Sequence, residues 1–244
     1  MSSAFNVAPI LAAALTLCGA GVLAPYIHLR IKKKLVPAIF FKIAASVLFL
    51  LTAGVSILAS AGARWEQYKF LFLGVLFGQV LGLLGDYWLD MKDMQPKHHD
   101  AYVIAGFTSF HINHVFYIAG LLMTYGAPGR TLLYMAGAGL LLAVVVLATE
   151  NLMKLKYGKF KGISAAYSVI FGVSIAAALL NYLASKNPQS LIMAIGLVIF
   201  LLSDLVLSGT YFGEGKNRPI DIALNYIFYY GGQFTIALSL LAIK

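Results

Sequence analysis

Long apolar runs, separated by short polar segments, dominate the chain from one end to the other. A helix that crosses the apolar core of a membrane needs about 20 consecutive apolar residues. Eight runs reach about that length and predict eight transmembrane helices: Val7–Leu29, Val36–Ala59, Phe70–Asp90, Ala101–Tyr125, Thr131–Glu150, Ile163–Ala184, Ser190–Ser208 and Ile222–Ile243. The connections between the runs are short, so we expect residues 1–244 to form a single transmembrane helical domain, an all-α bundle.

The composition agrees with this prediction. Apolar residues make up 61% of the 244 residues and charged residues only 11%, whereas a soluble domain is roughly 25% charged. The single cysteine, Cys18, excludes an intrachain disulfide. The net charge of +9 does not indicate a nucleic-acid partner, because the basic residues lie in short loops, as membrane topology signals do. We therefore expect membrane lipids as partners, while nothing in the pattern indicates an oligomeric state.

The distribution of basic residues predicts the orientation of the chain. Twelve of the 18 Lys and Arg residues lie in the first, third, fifth and seventh loops. Because loops rich in Lys and Arg stay in the cytoplasm, we expect these odd-numbered loops to be cytoplasmic and both termini to lie on the opposite side. The host membrane would be a bacterial inner membrane or the endoplasmic reticulum.

A few ionisable side chains interrupt the apolar runs. Charged and titratable groups are costly at membrane depth, so each one suggests a functional site. The candidates are Lys42, Asp86, Asp90, His111, His114, Glu150 and Asp204. With the orientation above, nearly all fall in the cytoplasmic half of the membrane, which predicts a polar pocket that opens toward the cytoplasmic leaflet.

Two aspartates are the strongest of these candidates. Gly74, Gly78 and Gly82 precede Asp86 at steps of four, so Asp86 ends a helix stripe that permits close approach of another backbone. A simple helix-end position at the cytoplasmic membrane interface suits Asp90 and Asp93 better. Asp204 has apolar neighbours on both sides and must face protein or a cavity; it could also pair with Lys42.

Several short patterns, in the same order along the chain, resemble the YhhN-like lysoplasmalogenase family. They are Gly85-Asp86, Phe107-x-x-Phe110 followed by His114-x-x-Tyr117, Ser203-Asp204 and Tyr229-Tyr230-x-x-Gln233. Lys42 and Tyr167 also match positions typical of that family, although Ile43 follows Lys42 where the family often has a proline.

The resemblance implies a membrane hydrolase of eight helices that needs no cofactor. Its substrate would be a lysophospholipid, a lysoplasmalogen, whose vinyl ether is cleaved to a fatty aldehyde and a glycerophospho-base. The resemblance also implies that Asp86 and Asp204 form the catalytic pair.

The chemistry of a vinyl ether agrees with two carboxyl groups. The bond yields to acid, so the enzyme needs a protonated carboxylic acid and a carboxylate that stabilises the resulting cation, as glycosidases do for a related intermediate. We hypothesise that Asp86 and Asp204 face each other across the pocket, one as acid and one as base. Substrate-binding groups would come from Lys42, His114, Tyr117, Tyr167, Tyr229, Tyr230 and Gln233.

Two other functions remain open at this point. His111 and His114 lie on one helix face and, with Asp86 and Asp204, could serve a metal-dependent lipid hydrolase. A proton-coupled transporter of small molecules also places acids inside its spans, but it usually has internal repeats, and the two halves of this chain have no convincing similarity.

Overall fold

The structure is a computed structural model that describes residues 2–215 and 217–243. The described chain consists of eight α-helices: α1 (Ser2–Ile31), α2 (Leu35–Ser60), α3 (Trp65–Met94), α4 (His99–Tyr125), α5 (Gly129–Leu152), α6 (Lys161–Ser185), α7 (Pro188–Phe212) and α8 (Pro219–Ser239). Short 3₁₀ turns lie at Gly62–Arg64, Pro96–His98, Gly158–Phe160 and Leu240–Ala242. In place of strands, the described residues contain one isolated bridge between Leu155 and Gly213.

Each of the eight predicted runs coincides with one helix, and the differences lie at the ends. The third helix begins at Trp65 rather than Phe70, because its first turn contains Glu66, Gln67 and other residues too polar to count as an apolar run. At the other end of the chain, α8 stops at Ser239 and a 3₁₀ turn continues the apolar run.

Six helices, α1, α2, α3, α5, α6 and α7, are long and apolar enough to cross a membrane, which is consistent with a multi-pass membrane protein. The other two, α4 and α8, contain buried polar side chains that lower their mean hydropathy, among them Asn113 and His114 in α4 and Asn225 and Gln233 in α8. Helices α2 and α3 also contain buried charged groups, such as Lys42 and Asp86, but their remaining residues are apolar enough to keep the mean hydropathy high.

The helices pack into one core with residues from all eight. Neighbours in sequence pair along their length, α1 with α2, α3 with α4, α5 with α6 and α7 with α8, and α8 also contacts α1, α2 and α3. Large apolar side chains such as Leu58, Leu133 and Leu152 point outward and are exposed. An outer surface of this kind suits contact with lipid rather than water.

The glycine stripe of α3 is confirmed as the contact surface for α4. A Cβ at Gly74 would lie 2.6 Å from the backbone oxygen of Phe116 and 2.9 Å from Cα of Gly120. Gly78 lies against the ring of Tyr117. This close approach brings the polar residues of α4 next to those of α3.

Candidate active site

Asp86 lies in α3 just beyond the glycine stripe and is 4% exposed. Its Oδ2 accepts hydrogen bonds from the Ser46 hydroxyl of α2 at 2.7 Å and from the Tyr229 hydroxyl of α8 at 2.8 Å. Lys42 Nζ lies 3.4 Å from Oδ1. Three helices therefore fix this carboxyl group, and its charge has a cationic partner.

Lys42 itself lies between two carboxyl groups. Its Nζ is 3.1 Å from Asp90 Oδ1 and also donates to the backbone oxygen of Asp86 at 3.1 Å. Asp90, which the sequence suggested as a simple helix-end residue at the membrane interface, is enclosed by protein, since it is 3% exposed. It follows Asp86 by four residues, so both lie on one face, and α3 continues to Met94 beyond it. Lys42 thus pairs with Asp86 and Asp90 rather than with Asp204.

Four further predicted residues join this group through hydroxyl and amide groups. Tyr117 donates to Gln233 Oε1 at 3.1 Å, Gln233 Nε2 lies 3.4 Å from the Tyr229 hydroxyl, and Tyr229 donates to Asp86. The Tyr230 hydroxyl lies 3.1 Å from both Ser46 Oγ and the backbone oxygen of Lys42. We name these residues the Asp86 network: Lys42, Ser46, Asp86, Asp90, Tyr117, Tyr229, Tyr230 and Gln233.

Asp204 belongs to a second group, built by α4, α6 and α7. Its Oδ2 accepts a hydrogen bond from the Tyr167 hydroxyl at 2.8 Å, and that hydroxyl lies 3.4 Å from His114 Nε2. His114 Nδ1 lies 3.0 Å from Ser174 Oγ, which donates to the backbone oxygen of Phe171. In a neutral imidazole this arrangement assigns the hydrogen to Nδ1 and leaves Nε2 as an acceptor. We name Asp204, Tyr167, His114 and Ser174 the Asp204 network.

An inner cavity of about 50 Å³ lies against the Asp204 network. Asp204 and Tyr167 line it together with apolar side chains such as Phe107, Phe110 and Leu205, and none of the described residues in its lining is Lys or Arg. The Ser164 hydroxyl in its wall is buried and has no hydrogen-bond partner among the described residues. Buried hydroxyl groups are nearly always bonded, so this one suggests a site for water or ligand.

A larger cavity of about 790 Å³, the outer vestibule, adjoins the inner cavity. Leu207, Tyr211 and Phe212 line both. The rest of its wall includes residues of the first, fifth and seventh loops and of the ends of α3 and α4 that flank the third loop, the side predicted to be cytoplasmic. The vestibule and the inner cavity together form a route from that side of the bundle toward Asp204.

The two aspartates do not share one cavity. Asp204 lines the inner cavity and Asp86 does not. The side chains bonded to Asp86 and Asp204 are different residues, and aromatic rings lie between the networks: Phe200 packs on both Tyr229 and His114, with ring centroids 5.1 and 5.5 Å apart. Phe110, which lines the inner cavity, contacts Tyr229 at 5.9 Å. The hypothesis of two facing carboxyl groups therefore gives way to two networks that meet at an aromatic layer.

The four residues considered for a metal site are likewise divided between these places. Asp86 lies in one network and His114 and Asp204 in the other, and His111 is half-buried with its ring 6.2 Å from that of Tyr167. Across residues 2–215 and 217–243, no group of three or more His, Cys, Asp or Glu side chains is arranged to hold a metal ion.

Serine residues are the main functional candidates that the sequence analysis missed. Ser46 follows Lys42 by four residues, so its place on the same helix face was readable from the spacing. Ser164 and Ser174 carry no such signal, because serine is common inside membrane helices and only the packing of α6 turns these two toward Asp204 and His114.

Comparison with known proteins supports the resemblance. Neither a curated protein nor a solved structure matches the chain. The model of the YhhN family matches residues 37–240, more than four-fifths of the chain, and includes every residue of both networks. The resemblance seen in the ordered motifs is therefore confirmed, and the chain belongs to the YhhN family.

Proposed function

We propose that this protein is a membrane hydrolase that cleaves the vinyl ether bond of lysoplasmalogens. The observation that carries the proposal is the place of Asp204, a carboxyl group in the wall of an apolar cavity that no cation among the described residues lines. Family membership supports the same reaction class.

The reaction requires one proton and one water molecule. A proton adds to the outer carbon of the C=C bond, which leaves an oxocarbenium ion at the carbon bonded to oxygen. Water adds to that carbon and loses a proton, and the hemiacetal then breaks its C–O bond to the glycerol. The products are a fatty aldehyde and a glycerophospho-base. The proton lost by the added water restores the acid, so no net proton is consumed.

Asp204 is the proposed acid. An apolar cavity without a cation disfavours a carboxylate relative to the neutral acid. The Tyr167 hydroxyl has two acceptors within reach, Asp204 Oδ2 at 2.8 Å and His114 Nε2 at 3.4 Å. When Asp204 holds the proton, Tyr167 can turn its hydrogen to His114, and when Asp204 has given the proton away, Tyr167 can stabilise the carboxylate. The same carboxylate then takes the proton from water.

Asp86 is the proposed source of negative charge. Lys42 faces both Asp86 and Asp90, so these two carboxyl groups share one close cation. The charge lies behind Phe110 and Tyr229, one aromatic layer from the inner cavity. A fixed negative charge at that range stabilises the oxocarbenium ion in a water-poor interior. Asp86 thereby acts without touching the substrate.

Ser164 completes the cavity. Its unbonded hydroxyl is in the same wall as Asp204 and offers one donor and an acceptor for the attacking water or for the glycerol hydroxyl. The fatty chain would leave between α5 and α7, since Val146 and Leu205 both line the cavity while α5 packs mainly on α6.

We propose further that all eight helices cross the membrane. The 21 residues of α8 and the 27 of α4 are long enough at about 1.5 Å per residue. Their polar residues face other helices rather than lipid, as Asn113, Gln233 and Tyr229 illustrate by their burial. With the odd loops in the cytoplasm, the vestibule opens to the cytoplasmic leaflet.

A direct assay tests the function. Purified protein in detergent is incubated with a lysoplasmalogen, with the matching ester lysophospholipid and with the matching saturated ether. We expect aldehyde from the first and no product from the other two. Fatty acid from the ester, or release from the saturated ether, would contradict an acid-catalysed attack on a double bond.

A further inference from the structure

Among the described residues, five cationic side chains and a single acidic one, Asp93, line the outer vestibule. The cations are Arg30, Lys33, Lys92, Lys156 and Lys159. Arg30 and Lys92 share the carboxyl group of Asp93. Lys156 and Lys159 pair with acids outside the lining, and Lys33 has no ion-pair partner among the described residues. The vestibule therefore has an excess of positive charge.

Two of these cations are withdrawn from water. The side chain of Lys92 is 7% exposed and that of Arg30 is 14% exposed. Lys92 Nζ lies 4.3 Å from the ring centroid of Tyr211, which lines both cavities. Orientation in the membrane requires basic residues near the helix ends but does not require them to be buried. Burial of a cation is costly unless a negative charge lies close to it. Here the single carboxyl group of Asp93 is shared by Arg30 and Lys92.

A second, independent feature is a hydroxyl group without a partner. Tyr157, in the fifth loop, lines the vestibule and is 2% exposed. Its hydroxyl has no hydrogen-bond partner among the described residues, while its ring packs on Phe212 with centroids 4.8 Å apart. A phenol hydroxyl buried in this way is rare unless a water or a bound molecule supplies the hydrogen-bond partner.

We propose that the outer vestibule binds the phosphate group of a phospholipid headgroup. Lys33 and Lys92 supply charge, and the Tyr157 hydroxyl donates a hydrogen bond to a phosphate oxygen. That the lipid is a lysoplasmalogen rests on the proposed function. In such a lipid only the glycerol separates phosphate from vinyl ether, so a headgroup in the vestibule brings the double bond past Tyr211 into the inner cavity.

If the vestibule binds phosphate, the protein should require a phosphate group on its lipid substrate. The described lining of the inner cavity contains no Lys or Arg, so nothing there distinguishes a phospholipid from a neutral alkenyl ether. Selection of a phospholipid over a neutral alkenylglycerol then depends on the vestibule, whose donors would be left unpaired by the neutral lipid.

Binding of a lipid that cannot react tests the proposal apart from catalysis. The probe is a saturated 1-O-alkyl lysophosphoethanolamine, compared with the 1-O-alkylglycerol of equal chain length. We expect roughly tenfold weaker binding of the phospholipid to Lys33→Gln and to Tyr157→Phe, the size of one hydrogen bond to a charged group. Both changes leave the helices untouched. Lys97→Gln is the matched control, a lysine of the third loop outside the vestibule lining, and should bind as the wild type does.

Each outcome separates this proposal from the proposed function. Equal binding of the phospholipid and the alkylglycerol, or unchanged binding in both variants, would overturn the headgroup site even if aldehyde is released. Loss of binding in both variants would support the site even if the wild type releases no aldehyde. Inorganic phosphate and glycerophosphoethanolamine are tested as competitors: competition by glycerophosphoethanolamine alone supports a headgroup site, whereas inorganic phosphate that binds as tightly as the lipid would contradict it.

Discussion

Asp86 and Asp204 differ in the charges and donors that surround their carboxyl groups. Asp86 has Lys42 at 3.4 Å and accepts two hydroxyl hydrogen bonds, contacts that each stabilise a carboxylate. Asp204 has one hydroxyl donor and an apolar cavity beside it. These surroundings favour different roles for the two aspartates: Asp204 as the proton donor and Asp86 as a source of negative charge.

Replacement of Asp204 by Asn should abolish most activity without loss of stability. The amide oxygen can still accept the Tyr167 hydrogen bond, but the amide cannot deliver a proton, so we expect turnover to fall by about 10²–10⁴-fold. Aldehyde release and thermal unfolding are measured on the same preparation. Glu66→Gln is the control, since Glu66 is exposed and pairs only with Lys69. Activity within twofold of wild type in Asp204→Asn would eliminate Asp204 as the acid.

Replacement of Lys42 by Met should destabilise the fold. It leaves Asp86 and Asp90 buried without their cation, and removal of one partner from a buried ion pair costs about 3–5 kcal/mol. Unfolding in detergent is compared for Lys42→Met, Asp90→Asn and the double variant. We expect the double variant to lose less than the sum of the single losses, because the residues are in contact. Additive losses would contradict the pairing of Lys42 with Asp90. Lys69→Met is the control: it removes a lysine from a surface ion pair and should change the free energy of unfolding little.

The helices show which parts of this molecule are readable from sequence. Runs of apolar residues locate all eight helices, and the spacing of Gly74, Gly78 and Gly82 identifies the face of α3 that meets α4. The rotation of one helix against another is not contained in such patterns. For that reason the pairing of Asp90 with Lys42 and the aromatic layer between Asp86 and Asp204 emerge only from the packed structure.

Two glycine substitutions should have opposite effects on stability. A Cβ at Gly120 would lie 2.9 Å from the backbone oxygen of Phe70 and 3.2 Å from Cα of Gly74, so Gly120→Ala forces α3 and α4 apart and should cost about 1–3 kcal/mol. Gly137 in α5 has nothing within 4 Å, and Gly137→Ala should stabilise by about 0.5–1 kcal/mol through helix propensity. Thermal unfolding in detergent compares both with wild type. Equal shifts in the two variants would contradict the close packing of α3 on α4.

At the scale of the whole molecule, the first, fifth and seventh loops converge on the outer vestibule. The same loops carry most of the basic residues, so the orientation signal and the charge of the vestibule come from one set of side chains. If α4 and α8 both cross the membrane, all the loops that line the vestibule lie on one side of the membrane, and the vestibule opens to that side.

Cysteine labelling tests this topology. In a Cys18→Ala background, Lys97→Cys and Arg130→Cys flank α4, while Glu214→Cys and a cysteine added after the last residue flank α8. We expect a membrane-impermeant thiol reagent to label positions 97 and 214 only in inside-out vesicles, and the other two only in intact cells. Labelling of both members of a pair from one side would show that the helix between them does not span the membrane.

The central claim is proton transfer to carbon, and the position of solvent deuterium in the product tests it most directly. The wild-type protein is incubated with a lysoplasmalogen in D₂O, and the mass of the trapped aldehyde is measured by mass spectrometry. The same aldehyde incubated in D₂O without protein controls for exchange of its hydrogens with the solvent. The account predicts one deuterium on the carbon next to the carbonyl group, formed by wild type and not by Asp204→Asn. An aldehyde without deuterium at that carbon, or no aldehyde from a folded protein, would contradict it.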